Sequence, residues 1–271
     1  MQIHTDLKLK NLLLFIVFIL VLTSCGTLNN GRSWGQDVTL FPTKSRLSQA
    51  AITSIKHPAT WGPLFGAALF SLTDIDEDIS EELADNNPLF GSKEDANNAS
   101  DFLRNSLVAS VAISALATPG GNTASQQFAN KSKGLITEFA TLEITSASTS
   151  LIKRTTDRER PNKVNKSSFP SGHTSKAFAA AALTSKNLDS LSLNPGTVTG
   201  IRVGLYTFAT GTALARVEAE RHYTTDVLVG AALGNFLSRF IHDAFLGLDN
   251  NNQVLFNISP RFASTQWQHE F

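Results

Sequence analysis

Residues 153–176 read KRTTDRERPNKVNKSSFPSGHTSK, and residues 215–226 read ARVEAERHYTTD. Three short clusters lie in these stretches. The first is Lys153 with Arg160-Pro161, the second Pro170-Ser171-Gly172-His173, and the third Arg216 with His222 and Asp226. As chemistry they amount to three fixed cations, two histidines and one carboxylate. Three cations outweigh the charge of one phosphate monoester, and a carboxylate four residues after a histidine can orient its ring. That combination suits phosphoryl transfer through a histidine, where positioning and charge stabilisation do most of the catalysis.

Each cluster has an ordinary reading when taken alone. Lys153 and Arg160 are about two helical turns apart and share a face if the helix persists. They could equally be a basic helix end complementing its dipole, with Arg154 and Arg158 as further solvated charges. Ser171 can cap a helix running into the alanine-rich stretch, and Gly172 lets backbone approach an anion at that helix start. His222 and Asp226 stand at i and i+4. A carboxylate accepting from one ring nitrogen fixes the tautomer and leaves the other lone pair free to attack. By that logic the histidine paired to a carboxylate is the nucleophile, and the unpaired His173 is the acid.

Together and in this order, the clusters closely resemble the three signature motifs of the type 2 phosphatidic acid phosphatase superfamily. That group also includes class A bacterial acid phosphatases and vanadium haloperoxidases. Lys153 with Arg160-Pro161 matches the first motif, residues 170–173 the second, and Arg216, His222 and Asp226 the third. Ala215 departs from it, standing where the family usually has serine, which removes one hydroxyl expected at the pocket rim. The resemblance implies a metal-free, two-step mechanism without cofactor. In it Lys153, Arg160, Ser171, Gly172 and Arg216 hold the phosphoryl oxygens. His222 attacks phosphorus, Asp226 orients it, and His173 protonates the leaving alkoxide.

Working outward, Lys8 and Lys10 precede an eleven-residue apolar run from Leu12 to Leu22, then Leu22-Thr23-Ser24-Cys25-Gly26. The run fits a secretory leader better than a spanning helix. The pentapeptide resembles a bacterial lipoprotein box, which implies cleavage before Cys25, lipidation of its sulfur and attachment to a membrane. Gly26 in place of Asp points by analogy to an outer-membrane address facing the periplasm. The expected organisation is a leader at 1–24, a tether at 25–44, a helical domain at 45–250 and a tail at 251–271. Net charge is zero, and no basic face beyond the cluster suggests nucleic acid.

Apolar residues at helical spacing predict helices over 45–55, 61–72, 100–117, 133–152, 173–185, 197–215 and 225–245. Residues 74–85 read as a solvated acidic loop entering a short helix, because Ile79 and Asp85 break a calcium-loop pattern. No window holds 18 apolar residues free of charge, so the helices are expected to be buried members of a bundle rather than spans. Residues 254–258 alternate and predict one edge strand. The fold expected is therefore a single all-α bundle with a short C-terminal strand. The function expected is a phosphatase of phosphomonoesters or diphosphates, with lipid phosphates favoured by a membrane tether. A vanadium haloperoxidase and a non-catalytic lipoprotein module are the rival readings. Oligomeric state is left open.

Overall fold

The computed structural model describes residues 26–28, 31–72 and 75–247, and the backbone of residues 254–259 and 262–267. Cys25 and the leader lie outside the described residues. Eight α-helices are described: α1 (Lys44–Lys56), α2 (Pro58–Ser71), α3 (Ile75–Asn86), α4 (Lys93–Ala117), α5 (Ala124–Thr156), α6 (Gly172–Leu188), α7 (Pro195–Glu218) and α8 (Thr224–Ile241). A π-helical turn, His242–Leu246, continues α8. In the tail, β1 (Val254–Ser259) pairs antiparallel with β2 (Phe262–Trp267), so a two-stranded hairpin replaces the single strand expected.

Helix α6 is the centre, packed by α4, α5, α7 and α8. It can be surrounded because its side chains are small: Ala177 and Ala179 to Ala182 are all buried. Close approach is closest against α8, where a Cβ at Gly234 would lie 2.2 Å from the Ser175 carbonyl oxygen. Polar residues join this core by satisfying themselves locally. On α5, Thr137, Thr141, Thr145 and Thr149 each donate to the carbonyl four residues back. Thr149 also meets the Ser175 hydroxyl of α6 at 2.9 Å. A buried face can thus be built of threonine, since each hydroxyl keeps a partner.

Several helices begin earlier than apolar spacing indicates, because caps set their ends. Ser92 accepts from the Asp95 amide and starts α4. Thr123 and Gln126 form a capping box that starts α5. The turns so added are polar and carry no apolar period.

The expected tether is corrected in part. Trp34 is fully buried, its ring lying on Gly134 and its Nε1 donating to Asn187 Oδ1 at 3.1 Å. Gly26 exchanges both backbone hydrogen bonds with Gly121. This segment is held by an aromatic anchor, a feature that a Gly- and Asn-rich composition conceals. Burial also holds for α6 and much of α8 but not for α2, whose large apolar side chains are exposed, nor for one face each of α4, α5 and α7, where Phe102, Phe128, Ile136, Leu151 and Val203 are exposed too.

Trp34→Ala should destabilise the fold by about 3–5 kcal/mol, the range for removing a buried large aromatic. It also leaves Asn187 Oδ1 without its donor. Chemical denaturation at neutral pH measures the loss.

Candidate active site

Helix α5 ends at Thr156, and Asp157 turns into the left-handed region with φ 47°. The helix does not persist to Arg160, so the shared-face expectation is corrected: Lys153 sits in its last turn and Arg160 in the loop beyond. Lys153 Nζ donates to the carbonyls of Ser167 and Ser168, the latter at 3.2 Å. Burial, with Arg160 nearby, pulls its pKa down to about 8. Arg160 has a buried Nε with no hydrogen-bond partner.

Ser171 caps α6 as expected: its Oγ accepts from the Thr174 amide and hydroxyl. Its own N–H donates to the Asp226 carbonyl at 3.0 Å. A Cβ at Gly172 would meet Thr149 at 3.7 Å and the Lys153 stem at 4.0 Å.

Arg216 closes α7 almost wholly buried, its Nη1 donating to Asn97 Oδ1 at 2.8 Å and Ser100 Oγ at 3.1 Å. Its Nε has no partner. Burial, with Arg221 and Arg160 beside it, lowers its pKa to about 10, so it stays charged at neutral pH. Beside Arg216, Ala215 is fully buried.

His222 is buried, with Nδ1 3.6 Å from Asp226 Oδ2. That separation brings the two groups into electrostatic contact but exceeds a hydrogen bond. Burial outweighs the carboxylate and pushes the His222 pKa down to about 3. Asp226 spends its oxygens elsewhere. Oδ1 accepts from Arg158 Nη1 at 2.8 Å, and Oδ2 from the Ser168 hydroxyl and from the Tyr223 amide at 2.9 Å.

His173 is not unpaired. Its Nε2 lies 2.9 Å from Asp101 Oδ1 on α4, and Arg104 shares that carboxylate. The rule that separated nucleophile from acid by carboxylate pairing is therefore corrected. What differs is burial: the His222 side chain is 2% exposed and that of His173 28%. Burial, then Arg216 and Arg104, hold the His173 pKa down to about 4 against the pull of Asp101.

Sequence reasoning missed Asp101, Asn97 and Ser100, which no local spacing ties to the motifs. It also misread Arg158 and Asp76 as solvated. Arg158 joins Asp226 to Asp76 of α3 at 2.9 Å and lies over the Tyr223 ring at 4.2 Å. Asp76 in turn accepts from the Thr225 amide and hydroxyl. Among the described residues, no group of three or more His, Cys, Asp or Glu is placed to hold a metal ion. No described helix is long and apolar enough to cross a membrane.

Fold and site together define an all-α domain whose helix ends gather cations around two histidines. Residues 134–247 match the model of the PAP2 superfamily. A stretch of 77 residues is 42% identical to the lipid A 1-phosphatase of Porphyromonas gingivalis, covering 28% of this chain and 16% of that protein. Among solved structures, the chain is similar to the first transmembrane PAP2 type phosphatidylglycerolphosphate phosphatase from Bacillus subtilis. The TM-score is 0.52 at 20% identity, over 71% of this chain and 94% of that one, which establishes the all-α fold.

Replacing Arg158 by alanine should cost roughly 1–3 kcal/mol, less than for a fully buried pair because its side chain is 31% exposed. It should also move the acid limb. Asp226 has a depressed pKa despite burial, through His222, Arg158 and Ser168. Its stabilisation is present above the unfolded carboxylate value and is lost as pH falls. Without Arg158 the depression shrinks, so in melting curves taken across pH the loss should begin at higher pH than in the parent.

Proposed function

We propose that this chain is a metal-independent phosphatase that hydrolyses phosphomonoesters or diphosphates, with lipid phosphates as the favoured class, through a phosphohistidine at His222. The observation that carries the reading is the pair of buried, unpartnered donors Arg160 Nε and Arg216 Nε. They belong to neighbouring guanidinium groups whose charges already repel. Buried donors without acceptors are costly, and a phosphoryl group offers three acceptor oxygens and the missing negative charge. Lys153 and the start of α6 at Ser171 and Gly172 complete the cradle.

Within that cradle His222 is neutral down to about pH 3 and so carries a lone pair at working pH. Its Nδ1 faces Asp226, which leaves Nε2 to attack. The N–P bond forms as the P–O bond to the leaving group breaks, and His173 gives the departing oxygen its proton. His173 Nε2 is engaged by Asp101, so Nδ1 is the atom that delivers it. Water then attacks the phosphohistidine, passes its proton to His173 and releases phosphate. Charge gathering on the equatorial oxygens is met by Lys153, Arg160 and Arg216.

Two features support lipid phosphates. One is the lipoprotein box, which would place the chain on a membrane through Cys25, at the outer membrane facing the periplasm. The other is the lipid phosphatase among its relatives.

His222→Ala should abolish turnover of alkyl and nitrophenyl phosphates alike. His173→Ala should cost roughly 10²- to 10⁴-fold on the alkyl phosphate and far less on the nitrophenyl ester, which leaves without a proton. Steady-state rates of both variants on both substrates decide it. Equal losses for His173→Ala would mean that it only holds phosphate. Trapping the phosphoryl group on a residue other than His222 would refute the nucleophile.

The pH profiles should differ as well. Above about pH 4 the free site loses the His173 proton. After correction for substrate ionisation, kcat/KM for the alkyl phosphate should therefore fall about tenfold per pH unit. The nitrophenyl ester should hold its rate until Lys153 deprotonates near pH 8, and Lys153→Arg should push that limb higher.

A further inference from the structure

Helix α2 is packed inside out. Its small residues Thr60 and Ala67 are buried, and Gly66 lies against Leu228 of α8, the helix on which α2 mainly packs. Its large ones point away: Trp61, Phe65, Leu69 and Leu72 each keep more than half of their surface exposed, and Leu64 nearly half. In water the hydrophobic effect places large apolar side chains inward. Small residues at the contact and large ones outside are the arrangement of helices packed in lipid. No charged residue occurs between Lys56 and Asp74, and the stretch 38–73 carries Lys44, Arg46 and Lys56 with no carboxylate. On α1, Lys44 and Lys56 are exposed, as are Ile52 and Ile55.

The ends of the molecule say what covers this face. Gly26 is bonded to Gly121, just before α5 begins, while Lys153 stands in the last turn of that 33-residue helix. At 1.5 Å per residue, the point where an anchored Cys25 would enter and the phosphate cradle are roughly 45 Å apart. A body standing on its anchored end would hold the cradle far above any headgroup. Helix α2 runs lengthwise between the two ends. Its start, at His57, lies by Lys186 and Arg239, and its end, at Phe70 and Ser71, shares a cleft with Arg158 and Thr225. With 14 residues it reaches about 21 Å, too short to span a bilayer but suited to lying along one.

We propose that the body lies on its side on an anionic bilayer, with the Trp61–Leu72 face seated at the boundary of headgroups and acyl chains. Lys44 and Lys56 then meet headgroup phosphates, and the cradle comes down to the level of its substrate. The proposal rests on the reading of a lipid-anchored lipid phosphatase and adds to it the surface that delivers substrate.

The test uses the full chain on vesicles of phosphatidylcholine and phosphatidylglycerol, with and without brominated acyl chains. Brominated lipid should quench tryptophan emission, and the quenched component should vanish in Trp61→Phe. In a second arm, the triple variant Trp61→Ser, Leu64→Ser, Phe65→Ser should lose at least about tenfold of its activity on vesicle-embedded phosphatidate, the equivalent of a few buried methylenes. Its rate on soluble nitrophenyl phosphate should not change. Unquenched Trp61 overturns the proposal, whether or not a cross-linked dimer that the triple variant loses shows a second copy on the face. Equal rates of the triple variant and its parent on embedded phosphatidate overturn it as well. Should the parent hydrolyse neither substrate, the phosphatase reading fails instead, and Trp61 quenching still decides the membrane face.

Discussion

The three motifs meet at one buried carboxylate. Asp226 takes Arg158 on one oxygen and both the Ser168 hydroxyl and the Tyr223 amide on the other, while its main-chain carbonyl takes the Ser171 amide. A fully buried anion persists only with such partners. In satisfying it, the chain ties the loop after α5, the start of α6 and the start of α8 to a single point. The position of His222, four residues earlier, follows from that knot. Asp226 therefore positions His222, the proposed nucleophile, through the backbone that it holds together, as well as by facing its ring.

Around this anion the site carries more positive charge than the protein neutralises. Lys153 rests on main-chain carbonyls, and Arg216 on Asn97 and Ser100, all of them neutral acceptors. Arg221 adds its field to Arg160 and Arg216. Such an arrangement would suit the phosphoryl group proposed above, whose charge grows in the transition state, because no protein carboxylate would have to be displaced first. Burial, with that field added to it, keeps both histidines neutral at neutral pH. A bound phosphoryl group would oppose the field and raise the proton affinity of His173 where the proton is needed.

Two arginines two residues apart show where sequence reading stops. Arg158 and Arg160 look alike in the stretch from Lys153 to Pro161. The left-handed turn at Asp157 sends Arg158 back to Asp76 and Asp226, while Arg160 sits within the field of Arg221. Asp101 is a similar case, 72 residues from the histidine it touches. Trp34 stands in a segment that composition marks as linker, and its burial depends on a gap at Gly134 on a distant helix. Helix α2 read as an ordinary apolar helix, since periodicity reports which residues share a face but not which face the fold turns inward.

The sequence by itself determined the all-α class, the approximate positions of the helices and the residues proposed here to hold phosphate. These depend on local periodicity, on caps and on charges at short spacing. Only the tertiary structure decided that His173 is partnered by Asp101, that Arg158 and Asp76 belong to the knot at Asp226, and that the N-terminal segment is seated by Trp34. Each of these is a contact between elements far apart in the chain. The energy of burying a charge or a ring depends on what the fold brings to it, and no spacing along the sequence encodes that.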